Sequence, residues 1–155
     1  MLRTMVNALG RIALSLIFIL SAVYKFMNWS EAEQSLTNTF TDLMGAVQQT
    51  PWLLDILAFL LPWLPVLLGI GAIVELIGGL LLFLGLKVRL GALLLLLFLI
   101  PSTFFFHHFW VLEGAEKQLQ MTMFLKNLSI FGGLLVVLAL GKGRSASADS
   151  DSAIH

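Results

Sequence analysis

The sequence contains no cysteine. That excludes disulfides, thiol redox chemistry, cysteine metal sites, lipoprotein anchoring and palmitoylation within this chain, so any sulfur chemistry has to come from a partner. Charge is scarce as well. Asp, Glu, Lys and Arg make up 12% of the residues, where soluble domains carry about a quarter. The nine basic and nine acidic residues cancel, and no basic face is evident, which argues against a nucleic-acid partner. There is no phosphate loop, no nucleophile elbow and no metalloprotease helix. What is present is apolar: 59% of the chain is hydrophobic and the mean hydropathy is +0.96. A soluble fold of 155 residues has nowhere to hide so much Leu, Ile and Phe. The partner these residues demand is a lipid bilayer.

A helix crosses the hydrocarbon core with about 20 residues, and four stretches qualify: 9–27, 65–85, 90–108 and 119–140. The expectation is an all-α, membrane-embedded four-helix bundle filling 1–144, followed by a disordered cytoplasmic tail over 145–155 rich in Ser, Ala and Asp. Arg3, Arg11 and the apolar run up to Tyr24 could pass for a signal peptide, but the run ends in Lys25-Phe26 and its removal leaves an odd number of spans, so it reads as an uncleaved first helix. Alternating spans put Arg3, Arg11, Lys87, Arg89, Lys142 and Arg144 on one side and only Lys25 and Lys117 on the other, with Lys126 inside the fourth span. That orients both termini to the cytoplasm. Trp29, Trp52, Trp63 and Trp110 then fall at the outer interface, where amphipathic rings anchor.

The connection between the first two spans has a pattern of its own. Ser30-Glu31-Ala32-Glu33 fits a capping box. Leu36, Phe40, Leu43, Met44 and Val47 recur at helical spacing opposite a polar face. This predicts an amphipathic helix in the first outer loop, lying on the outer surface or over the mouth of the bundle. A second apolar stretch, 52–61, is too short to span and is set off from the second span by Pro62 and Pro65. Pro101 interrupts the third span, and Ser102 and Thr103 beside it could satisfy the carbonyl it frees. Gly78-Gly79-Leu-Leu is echoed by Gly132-Gly133-Leu-Leu, an internal repeat that predicts two hairpins in parallel orientation. Small residues at seven-residue spacing, Ala8, Ser15 and Ala22 on one span and Gly71, Gly78 and Gly85 on another, mark the packing faces.

The residues able to carry chemistry are few. Glu75 sits near the membrane midplane, where a charge costs about 2.5–3.5 kcal/mol on insertion scales and so needs a partner or a proton. Lys126 lies at a similar depth on the same face as Gly133, and the expectation is that the two meet, with Asn127, Lys25 and His107 or His108 nearby on the outer side. Such a pair is either a polar site open to the outside, for a proton, a quinone headgroup or an anion, or an ion pair that fixes helix register. Arg11 and Lys25, near opposite ends of the first span, could instead snorkel to the headgroups. His107 and His108 are adjacent, about 100° apart on a helix, and cannot together grip one metal. His155, in the tail, is the remaining histidine, so no metal site is expected. A titrating or hydrogen-bonding interfacial histidine remains.

Three segments resemble one family. The first is Gly10-Arg11 through Leu16-Ile17-Phe18, Ser21 and Lys25-Phe26. The second runs from Glu75 through Gly78-Gly79 to Gly85 with Arg89, continuing to Pro101, Thr103 and His107-His108-Phe109-Trp110. The third is Gln120, Phe124-Leu125-Lys126-Asn127-Leu128, Gly132-Gly133-Leu134 and Gly141-x-Gly143-Arg144. In order and spacing these are similar to the DoxX family of small bacterial membrane proteins. The resemblance implies a four-helix membrane bundle and an association with redox functions, since the family takes its name from a subunit of a thiosulfate:quinone oxidoreductase and other members partner oxidative-stress and thiol enzymes. The expectation is a multi-pass inner-membrane subunit or accessory of a quinone-linked redox system, with quinone as the cofactor it would meet, membrane or redox proteins as partners, and self-association as an option. An assembly scaffold without catalysis, or a small proton or anion transporter, are the alternatives. Whether the chain is itself an enzyme is left open by these residues.

Overall fold

The computed structural model describes residues 2–141. The expected tail over 145–155, the basic residues Lys142 and Arg144, and His155 lie outside the described residues. The described part is built from helices alone. Helices α1 (Leu2–Met27), α4 (Leu64–Leu84), α5 (Val88–Phe106) and α6 (Gly114–Leu140) form the bundle, and α2 (Trp29–Ala46) and α3 (Pro51–Leu60) connect the first two. Four helical stretches are long and apolar enough to cross a membrane. A helix suits Leu-rich runs of this kind in lipid, because it pairs every backbone group within its own segment.

The neighbours run in the order α1, α4, α5, α6, with a slight contact closing α6 back on α1. Glycine sets the closest approaches. A Cβ on Gly78 would lie 2.9 Å from Leu95 Cγ, and one on Gly91 would lie 2.9 Å from the Gly78 carbonyl oxygen. Gly79, one residue on, takes Ile19 of α1 at 2.8 Å from the same kind of constructed Cβ. These glycines let α4 dock on α1 and α5 at once. The expected repeat is only half expressed in packing: Gly133 meets Leu14, but Gly132 faces open space.

The α4–α5 turn closes on Gly85, whose φ of +74° a side chain would resist. Leu86 N–H donates to the Leu81 carbonyl at 2.9 Å, the bond that ends many helices after a left-handed glycine. Lys87 follows with a φ of +42° and precedes α5.

Two apolar cores stack along the bundle. Phe18, Leu82, Leu95 and Leu134 belong to the one nearer the α4–α5 turn. Leu36, Phe40, Leu43, Leu57 and Leu64 form the other, under α2 and α3. Leu36, Phe40 and Leu43 are the buried face of α2, and Phe40 stacks on Phe105 of α5 with centroids 4.9 Å apart. The four tryptophans all lie on the side of the bundle opposite the α4–α5 turn.

Several local expectations are corrected. Helix α2 begins at Trp29, so Ser30 is inside its first turn, and its N-cap, Asn28, makes no side-chain capping bond. The continuity of chain from α1, with Ala32 N–H donating to the Asn28 carbonyl at 3.0 Å, satisfies donors that a serine cap would otherwise take. Only Pro62 lies in the break between α3 and α4, a single 3-10 turn over Leu61–Trp63, and Pro65 sits in the first turn of α4, where its missing N–H costs nothing. Helix α5 ends at Phe106, so His107 and His108 are not helical neighbours. Helix α6 starts at Gly114, earlier than its apolar stretch.

Candidate functional site

Between the two apolar cores lies a small polar layer. Glu75 is buried at 2% exposure, and Lys25 Nζ from α1 lies 2.5 Å from its Oε2. Lys25 also donates to Ser21 Oγ, one turn earlier on α1, at 2.7 Å. The ammonium stands over the Phe98 ring of α5, 5.1 Å from the centroid, an arrangement favoured by the ring quadrupole. Three helices therefore meet at one charge. Glu75 is the only acidic residue within α1, α4 and α5, so the pair supplies the compensation that an ionised carboxylate buried among these helices requires.

The expected partner, Lys126, is not there. It is exposed on α6, while the acid is met by Lys25. The reason is the order of the helices: α4 packs on α1 and α5, and α6 packs on α5. Depth along a helix is legible in a sequence, but which helices are neighbours is not. Asn127 does turn inward, yet it donates to Thr103 Oγ1 of α5 at 3.0 Å. His107 Nδ1 is 2.8 Å from Gln120 Oε1, and buried His108 holds the Phe105 carbonyl at 2.7 Å through Nδ1. No bond joins either histidine or Asn127 to Glu75. Arg11 is half-buried at the opposite end, with its guanidinium packed against Gly85. A cation there is favoured by the carbonyls that end α4. The seven candidates thus divide into the Lys25–Glu75 pair, an Asn127–Thr103 link, a histidine cluster at the α5–α6 connection, Arg11 at the α4–α5 turn, and Lys126 apart. Among the described residues no three His, Asp or Glu side chains gather as a metal would need.

The pair is not sealed off. A cavity of about 510 Å³ opens beside it, and Lys25, 20% exposed, lines its floor with Ala72 and Phe98. Leu36 and Phe40 of α2 roof it, and Leu67 and Ile70 of α4 face Leu97 and Pro101 of α5 across it. Leu67, Ile70 and Leu97 are themselves exposed on the perimeter of the bundle, so the mouth of this cleft opens sideways between α4 and α5. Apart from Lys25, its lining holds one polar side chain, Ser102. Ligand sites have this character, predominantly apolar with a few placed polar groups. A second hollow of about 270 Å³ lies between α5 and α6 at the Asn127–Thr103 link.

Sequence reasoning overlooked Ser21 and Ser102 as site residues. The spacing of Ser21 and Lys25, four apart on one helix, was the available signal for the first. Nothing in the sequence marked Ser102 beyond its place after Pro101.

The family model for DoxX matches residues 6–108, more than half of the chain. The chain belongs to the DoxX family. The matched residues carry Arg11, Lys25, Glu75, Ser102 and both histidines, and they stop before α6, so the similarity of Gln120 to Arg144 lies outside them. No curated protein and no solved structure matches the chain. DoxX membership and four apolar helices make this a multi-pass membrane protein whose surroundings are a lipid bilayer.

Proposed function

We propose that this DoxX protein is an inner-membrane subunit or accessory of a quinone-linked redox or oxidative-stress system, and that the cleft between α4 and α5 receives the quinone. The observation that carries this reading is the coupling of a laterally open apolar cleft to a single ammonium donor, Lys25, at its floor. A lipophilic carrier enters from the bilayer, not from water, and its head needs a donor where its tail needs none. Lys25 is held by Glu75 and Ser21, so its charge is already balanced. The site suits a neutral acceptor such as a ring carbonyl better than a free anion, which would have to displace Glu75. A bound quinone supplies carriage of two electrons and two protons within the membrane, while the chain holds the head and excludes water from it.

The orientation follows the basic residues, with Arg3, Arg11, Lys87 and Arg89 on the cytoplasmic side. Helix α2 is then an amphipathic cover on the outer side, its Leu36 and Phe40 turned to the cleft. Oxidative-stress or respiratory proteins are the partners this role calls for. The cysteine-free chain would contribute ligand binding, and its partner the thiol or metal chemistry.

The test is to purify the protein in mild detergent and identify bound lipophilic molecules by extraction and mass spectrometry. The expected result is near-stoichiometric quinone, lost in Lys25→Met. Bulk phospholipid alone, equal in both proteins, overturns the reading and leaves Lys25–Glu75 as a device that fixes the register of α1 on α4.

A further inference from the structure

The cleft has a second polar contact that the ion pair does not use. Its lining is drawn from α1 to α5, and two of its side chains are polar: Lys25, from α1, and Ser102, from α5. Ser102 follows Phe98 by four residues, so it lies about one turn, roughly 5.4 Å, further along the same face of α5. Phe98 is the ring over which Lys25 stands. Both polar groups therefore line the same cleft as Phe98, Lys25 over its ring and Ser102 one turn further along α5.

Ser102 is also free. Ser and Thr hydroxyls in helices commonly turn back on their own helix. Ser15, Thr37, Thr39, Thr41, Thr122 and Ser129 do so here. Thr103, the next residue, accepts from Asn127, and Ser21 accepts from Lys25. Ser102, half-buried on the cleft wall, has no hydrogen-bond partner among the described residues. The hydroxyl is therefore open to whatever occupies the cleft. Pro101 has no backbone N–H, so the Leu97 carbonyl in the same turn is without its usual i+4 donor.

The geometry points to Ser102 as a specificity-determining residue: Lys25 and Ser102 form a two-point grip for a flat ring with an oxygen at each of two opposite edges. The grip rests on the quinone reading above and narrows it, because a one-headed amphiphile such as a fatty acid or a monoketone engages only one of the two groups. Phe98, which lines the same cleft, adds apolar surface for the ring to contact.

Binding titrations in lipid nanodiscs test this. The probes are a para-benzoquinone with a decyl tail and a monoketone of the same ring size and tail. In the wild-type protein the quinone is expected to bind about tenfold more tightly, the weight of one net hydrogen bond. Ser102→Ala should weaken the quinone to the level of the monoketone and leave the monoketone unchanged. Lys25→Met should weaken both. Retained discrimination in Ser102→Ala, with the wild-type protein still binding quinone, overturns the role of Ser102 and spares the quinone reading. Equal affinity of the wild-type protein for the two probes does the same. Failure of the wild-type protein to bind the quinone at all overturns the quinone reading, and the grip with it.

Discussion

Lys25 and Glu75 face each other across α1 and α4 at 2.5 Å, the acid almost fully enclosed and the base one-fifth exposed to the cleft. Removing one member of a buried ion pair leaves the other uncompensated, at about 3–5 kcal/mol, whereas removing both can be nearly neutral. Lys25→Met and Glu75→Gln should each lower stability by that order. The double variant should recover most of the loss, a coupling well above 1 kcal/mol in a double-mutant cycle. Denaturant unfolding in detergent, followed by tryptophan fluorescence, measures it; simple additivity of the two losses would show that the side chains do not interact.

Lys126 has the opposite expectation. It is exposed on α6 and bonds to nothing among the described residues. Its stem can carry the ammonium toward the headgroups. Lys126→Leu should leave abundance and unfolding within about 0.5 kcal/mol of wild type, as substitutions away from special features do. Quinone occupancy in the purified protein should likewise be unchanged. A loss matching that of Glu75→Gln would restore Lys126 to the site.

Glycine substitutions should separate packed from open positions. Gly91→Ala drives a Cβ to 2.9 Å from a backbone oxygen of α4, which cannot rotate away. The expected cost is about 1–3 kcal/mol. Gly132→Ala meets nothing within 4 Å and should be neutral or stabilising by up to about 1 kcal/mol, the helix-propensity difference. Thermal aggregation of the two variants in the same detergent compares them directly.

Asn127→Leu removes the bond from α6 to Thr103 of α5. Hydrogen bonds between membrane helices average about 0.6 kcal/mol, so the variant should fold and lose no more than about 2 kcal/mol. Because Asn127 borders the smaller hollow and not the cleft, quinone affinity should not change. Loss of quinone binding together with retained stability would move the site to the α5–α6 side.

The sequence spoke clearly wherever a single helix decided the matter. Length and hydropathy mark the four long apolar helices, although α1 starts at Leu2 and α6 at Gly114, before the expected stretches, and the period of Leu36, Phe40 and Leu43 marks the face of α2 that is buried. The need of Glu75 for a partner was equally plain. What was not plain was the partner, because Lys25 stands near the end of its span and reads as a snorkelling residue, and only the packing of α4 on α1 brings it to the acid. The ends of elements were the other blind spot. Ser30 has the chemistry of a cap, but α2 follows α1 after a single residue, and the chain supplies by continuity what a cap supplies by side chain. The cleft could not be read at all, since it arises where α2, α4 and α5 fail to fill the space between them.

The close approach of Gly78 and Gly91 and the sideways opening near Leu67 and Leu97 belong to the same pair of helices. Where α4 and α5 touch backbone to backbone they leave no room for a side chain, and the cleft lies beyond that contact, around Ile70 and Pro101. Residues no ligand would touch therefore set the spacing of the two helices that line it.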